Sequence, residues 1–233
     1  NAKDDGADNS RQTAERLLRQ EREARRHGRQ GREFPEYWFH DVSREGHCEA
    51  LKLIMWGDEL TGLKSFAEDP NLKDRFGFTA LHLAAQKGHV DCVDHLITQG
   101  SPNKDETDKE GKTALHHAAM NGNPKIAYML VTRWPHQGTN ADKNAVDKKG
   151  NTALHYAAMK GHYEFAKVLV EAQNVVIDPI NEKKMRVEGA DQAMKNKGSW
   201  GSGKTALELA QKGGHHKVVE LLKQAAPDET ASA

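Results

Sequence analysis

Apolar residues in this chain come in short recurring pairs separated by polar stretches. Cys92-Val93 is followed by Leu96-Ile97, Phe165-Ala166 by Leu169-Val170, and Val218-Val219 by Leu221-Leu222. Spacings of i, i+3 and i+4 line one face of a helix, so each run predicts a one-sided helix. A smaller apolar group precedes the runs: Leu81 with Ala84-Ala85, Leu115 with Ala118-Ala119, Leu154 with Ala157-Ala158. These predict a first short helix whose alanines let neighbouring helices approach closely. Glycines 88, 122, 161 and 214 stand where that helix should stop, because glycine accepts the left-handed backbone of a helix C-terminus. Each unit therefore reads as turn, short helix, second helix and return loop. No such unit buries its apolar face alone, so the units must stack.

The polar positions repeat as strictly. Thr-Ala-Leu-His starts at Thr79, Thr113 and Thr152, and Thr-Ala-Leu-Glu at Thr205. Asp74, Asp108 and Asp147 lie five residues before their threonines, and Gly77, Gly111, Gly150 and Gly203 two before. Such an Asp hydrogen-bonds its own backbone, the Gly accepts positive φ, and the Thr caps the helix that follows. The four threonines are spaced 34, 39 and 53 residues apart; the ankyrin period is roughly 33 residues. With some ten positions in register, the frame resembles the ankyrin repeat over Asp74–Ala226 and more weakly upstream.

That resemblance implies an all-α solenoid of about five stacked helix-turn-helix units with β-turn fingers and two loop insertions. The units fall at 44–73, 74–107, 108–146, 147–202 and 203–226, within an array over 44–226. Glu49–Trp56 and Glu59–Asn71 read as a degenerate opening unit. The last unit, with Trp200, Glu208 and Gln211 in place of the usual Asp, His and Ala, reads as a C-terminal cap. The longer spacings put insertions at 132–144, which includes Trp134, and at 174–202, where 175–177 suits a short hairpin arm and 183–197 is basic. Such loops are tolerated, because closure entropy rises by only about 0.6 kcal/mol per doubling of length.

Residues 1–43 form a charged arm ending in an aromatic segment, and 227–233 a tail expected to be disordered. Arg11–Arg32 is dense in Arg, and Thr13–Arg26 within it suits a charged helix, solvated or partner-bound, with Glu15/Arg19 and Glu21/Arg25 pairs. Phe34, Tyr37, Trp38 and Phe39 crowd into six residues. They are read either as a lid on the first helix pair or, with Trp134 and Trp200, as docking residues for another subunit.

Composition narrows the function classes. Thirty-four basic side chains balance thirty-four acidic ones, so any electrostatic steering must be local. No run of eighteen apolar residues exists, which predicts no membrane-spanning helix. No secretory signal is visible, and a chain starting with Asn is expected to be a fragment or a processed form. An intracellular, cytoplasmic location is expected, with an organelle open if a targeting segment preceded Asn1. The two cysteines, Cys48 and Cys92, are expected as buried or semi-buried thiols in a reducing compartment, with a disulfide or a metal pair as the alternative. His82, His116 and His155 share one repeat position, where the resemblance implies a hydrogen bond to backbone between adjacent loops and no metal. Gly198–Thr205 fits the phosphate-binding P-loop spacing, but its upstream stretch is polar and not β-forming. Gly111-Lys112-Thr113 repeats its last part inside an ordinary unit.

The resemblance implies partner contacts along turn tips and first helices. The matching positions are Arg75, Phe76 and Phe78, then Lys109, Glu110 and Lys112, then Lys148, Lys149 and Asn151. Just after the alanines lie Gln86 and Lys87, Met120 and Asn121, Met159 and Lys160. Seven of these fifteen are basic and one is acidic, which predicts a partner with an acidic surface. The expected function is a non-catalytic protein-binding scaffold with no cofactor. The alternative is an accessory subunit of a multi-subunit assembly, held by the arm and insertions. Nucleic-acid binding and a P-loop nucleotide site are weaker readings. Lys204→Ala should accordingly leave the protein folded, and calorimetry with ATP and magnesium should give no heat. Micromolar binding abolished by that substitution would revive the nucleotide site.

Overall fold

The computed structural model describes residues 38–56, 69–132, 140–172, 176–177, 184–185 and 205–225. The chain divides into two compact units, Asn1–Pro102 and Asn103–Ala233. In the first, α1 (Trp38–Glu45) pairs with α2 (Cys48–Trp56), and α3 (Ala80–Lys87) with α4 (Val90–Gly100). In the second, the pairs are α5 (Ala114–Asn121) with α6 (Pro124–Val131), α7 (Ala153–Lys160) with α8 (Tyr163–Glu171), and α9 (Ala206–Lys212) with α10 (His216–Ala225). Within each unit, first helices pack on first helices and second on second: α1 on α3, α2 on α4, α5 on α7 on α9, and α6 on α8 on α10. In the long insertion, β1 (Val176–Ile177) pairs antiparallel with β2 (Lys184–Met185), where a hairpin arm was expected. The rest of that insertion lies outside the described residues.

The helices begin where the pattern placed them. Thr79, Thr113, Thr152 and Thr205 cap α3, α5, α7 and α9, and each forms a reciprocal capping box. The residue that answers the threonine is His82, His116, His155 or Glu208, so the glutamate of the last unit does the histidine's local work. Thr205 is thus absorbed by the helix start. The rest of the P-loop-like run, including Lys204, lies outside the described residues. The last first-helix stops one residue early, with Gly213 as its right-handed C-cap before left-handed Gly214.

The core holds the predicted residues except Val219, which is half-buried. Leu81, Leu115 and Leu154 are buried, as are the alanine pairs and the second-helix sets Cys92/Val93/Leu96/Ile97, Phe165/Ala166/Leu169/Val170 and Val218/Leu221/Leu222.

Two expectations fail in the first unit. The opening pair does not start at residue 44 with Glu49–Trp56 as its first helix; α1 begins at Trp38, inside the aromatic segment. Phe39 is buried and takes the place that leucine holds in later units, so it is core and not a docking residue. The register explains this. His40, Gly46 and His47 keep the spacing of His82, Gly88 and His89. His40 Nε2 lies 3.0 Å from the Leu72 carbonyl, the inter-loop bond expected of the repeat histidine. The cysteines are also not free thiols. Cys48 and Cys92 form a disulfide joining α2 to α4. Cross-linking residues 44 apart is worth on the order of 4 kcal/mol in the chain-entropy account.

Leu115 is wholly buried between packed helices, so Leu115→Ala should cost about 2–5 kcal/mol in urea unfolding. A loss under about 0.5 kcal/mol would contradict the register.

Candidate functional site

Each finger turn is built by its aspartate. Asp108 Oδ1 accepts the Glu110 and Lys112 N–H groups at 2.8 and 2.9 Å, and the Asp108 N–H donates to the Lys112 carbonyl at 2.9 Å. Gly111 closes the turn with φ of 78°, where a side chain would be strained and would press on Lys148. Asp74 and Asp147 repeat the arrangement with Phe76/Phe78 and Lys149/Asn151. In the second unit the fingers are joined directly, the Lys148 N–H donating to the Glu110 carbonyl at 3.0 Å.

The other aspartate oxygen anchors each finger to a helix. Asp108 Oδ2 lies 2.9 Å from His117 Nε2, and Asp147 Oδ2 accepts the Tyr156 hydroxyl at 2.6 Å. Asp74 Oδ2 faces the Arg44 guanidinium at 3.8 Å. Burial alone would raise the Asp108 carboxyl. The bonds from His117, Lys112 and Glu110 outweigh it and hold the group at about 2. Asp147 is lowered in the same way, against burial, by Tyr156, Asn151 and Lys149. Tyr156 is raised by burial and by its bond to Asp147.

Two histidine ladders tie neighbours together. His116 Nδ1 accepts the Thr113 N–H at 3.1 Å, which leaves its proton on Nε2, 2.9 Å from the Asn151 carbonyl of the next finger. Burial holds the ring neutral by lowering its pKa, in keeping with that tautomer. The second ladder was not anticipated. His89, His162 and His215 place Nε2 at 3.0, 3.4 and 3.1 Å from the carbonyls of Arg44, Met120 and Met159. Each ring sits against the glycine that ends the preceding first helix: a Cβ on Gly161 would come within 2.4 Å of His215. The recurring Gly-His dipeptides at 88–89, 161–162 and 214–215 were the available signal.

The expected contact positions separate into exposed and engaged groups. In the first unit, Arg75 and Phe76 are exposed at the tip, the guanidinium 4.7 Å above the ring, and Lys87 is exposed at the end of α3. Phe78 is half-buried, edge-on to His82 at 6.1 Å. In the second unit, Lys109, Asn121, Lys148, Lys149, Met159 and Lys160 are exposed, and Met120 is half-buried. Two expectations are corrected. Lys112 is not a free cation: its ammonium pairs with the Glu110 carboxylate and lies 5.7 Å over the Tyr156 ring. Asn151 is buried, its amide turned to Asp147, because the finger needs that side chain inside. Phe34, Tyr37, Trp134 and Trp200 lie outside the described residues. Of Trp38, the structure shows only that it opens α1.

The family model for ankyrin repeats (three copies) matches residues 39–139 and 135–232. The chain belongs to the ankyrin-repeat family. Ankyrin repeats generally mediate protein–protein interaction, and the family is typically non-catalytic. The match starts at residue 39, which agrees with an ankyrin unit opening on α1. Among the described residues no helix is long and apolar enough to cross a membrane, and no three His, Cys, Asp or Glu side chains gather as a metal site. Ankyrin signatures do not foretell the buried lysines Lys104 and Lys143, which are 39 residues apart like their threonines. Lys143 reaches the Ala172 carbonyl at 3.3 Å, and burial lowers the Lys104 pKa.

The Asp108 carboxyl has a pH signature. Its folded pKa is depressed to about 2, so its contribution is whole above the ordinary carboxylate range and disappears as pH falls through about 2. The size is on the order of 2 kcal/mol. Asp108→Asn should flatten the stability profile between about pH 4 and 2. An unchanged slope would show that the His117 pair does not set it.

Proposed function

We propose that this chain is a non-catalytic scaffold that holds an acidic surface or tail of a partner protein on the exposed lysines of its second unit. One observation carries the reading. Lys109, Lys148, Lys149 and Lys160 are exposed, and no described ion pair engages them, although the whole chain is charge-balanced. Lys148 and Lys149 sit on a finger hydrogen-bonded to the one carrying Lys109, so their fields add at neighbouring tips. Met159 is exposed beside Lys160 and supplies an apolar anchor of adaptable shape. The charges steer encounter and the anchor slows release.

The fingers are suited to such work because their backbones are fixed before binding. Asp108 and Asp147 spend their oxygens on the turn and on His117 or Tyr156, so little ordering is left to oppose association. The first unit offers a second, different tip. Arg75 over exposed Phe76 is the aromatic–arginine combination common at interface hot spots. We assign it to the same class of partner as a separate contact.

The test uses the partner recovered from native extract by the wild-type chain, with affinity measured at low and physiological salt. Lys148→Glu with Lys149→Glu should weaken binding about tenfold or more, chiefly through a slower on-rate that salt also slows. Both lysines are exposed, so the fold should be unchanged. Wild-type affinity in that double variant, with binding abolished by trimming Arg11–Arg32 or Asn174–Ser202, would establish the assembly-subunit reading instead.

A further inference from the structure

The opening helix pair depends on its packing against the rest of the first unit. Its helices are eight and nine residues long, too short to persist in water without packing. Tyr37 stands where later units have their capping threonine, and no Asp-x-x-Gly turn precedes it. Polar ties to the rest of the unit include His40 to the Leu72 carbonyl, His89 to the Arg44 carbonyl, and Arg44 facing Asp74 at 3.8 Å. The last contributes little, because Arg44 is half-exposed. Among the described residues, Phe39, Val42, Ala50 and Leu51 contribute buried apolar surface. To these contacts is added one covalent bond, from the first residue of α2 to the core face of α4.

The two cysteines differ in burial. Cys92 is fully buried beside Val93 and Leu96, whereas Cys48 is half-buried at the turn between α1 and α2. We propose that the Cys48–Cys92 disulfide is a reversible redox latch holding the opening helix pair on the rest of the first unit, with a dithiol as its reductant. One thiolate of the dithiol attacks Cys48 Sγ. The Sγ–Sγ bond breaks, and Cys92 leaves as a thiolate that takes a proton. The second thiol then attacks the dithiol's own sulfur in the mixed disulfide and releases Cys48. Two electrons and two protons pass to the protein, and the dithiol leaves as a disulfide. A monothiol has no second group for the last step and must supply another molecule. Because the departing Cys92 thiolate forms in apolar surroundings, exchange is slow while the pair is docked and faster when it opens.

Reduced, both thiols are small enough to stay packed, so the pair keeps its structure but loses its tether. Opening then exposes the apolar flanks of α3 and α4. The latch therefore couples the redox state of the surroundings to how much of this flank is covered, without altering the second unit's fingers.

The experiment compares amide hydrogen exchange across residues 38–56 in the full chain, oxidised and after dithiothreitol, with Cys48→Ala as a control. Free thiols are counted by alkylation in each state. The latch predicts no free thiol in the oxidised protein, and exchange at 38–56 faster by on the order of a hundredfold on reduction. Cys48→Ala should exchange at the reduced rate with or without dithiothreitol, and residues 108–172 should be indifferent throughout. Two thiols that titrate freely after treatment with oxidised glutathione would overturn the proposal. So would reduced and oxidised wild type agreeing within about twofold at 38–56.

Discussion

None of the described helices is long enough to stand alone. The described ones run from seven residues in α9 to eleven in α4, below the roughly 12–15 residues at which even favourable sequences become marginal in water. Every helix therefore depends on its neighbour, and the structure is a set of repeated answers to that dependence. Alanine pairs bring first helices together. Thr–His boxes start them without outside help. His116 at one repeat position, and His89, His162 and His215 at another, each spend a ring nitrogen on a carbonyl of an adjacent repeat. Of the three histidines at the shared repeat position, His116 is such a joint.

The same dependence shapes the candidate site. A finger can present lysines only if its backbone is held, and the holding is done by aspartates buried at the base and answered by His117 or Tyr156. Stability and recognition use different ends of one turn. Substitutions at the base should act on folding, and those at the tip on binding. Lys112 shows where the division is drawn: two residues from Glu110, it pairs within its own finger and belongs to the scaffold.

Much of this was legible in the residues. The turn aspartates, capping threonines and buried leucines are dictated by local chemistry that recurs in register, so each copy confirms the others. The opening pair was misplaced because Phe39, Val42 and Ser43 replace the Leu-x-x-Ala-Ala pattern, leaving only the His40–Gly46–His47 spacing as a trace. The disulfide was illegible for another reason: periodicity reports faces of helices, not which two residues on different helices meet. Side-chain pairing at the tips escaped likewise. Counting lysines gave the sign of the surface but not which charge Glu110 had already cancelled, nor that Asn151 turns inward to Asp147.

The central claim is that an acidic partner is held at the finger tips of the second unit. Hydrogen-exchange footprinting of the isolated chain against its complex with the partner recovered from native extract tests it most directly. The account predicts new protection concentrated at residues 108–112, 147–151 and 159–160. Protection confined to residues 1–43 or 174–202, with those fingers unchanged, would contradict it.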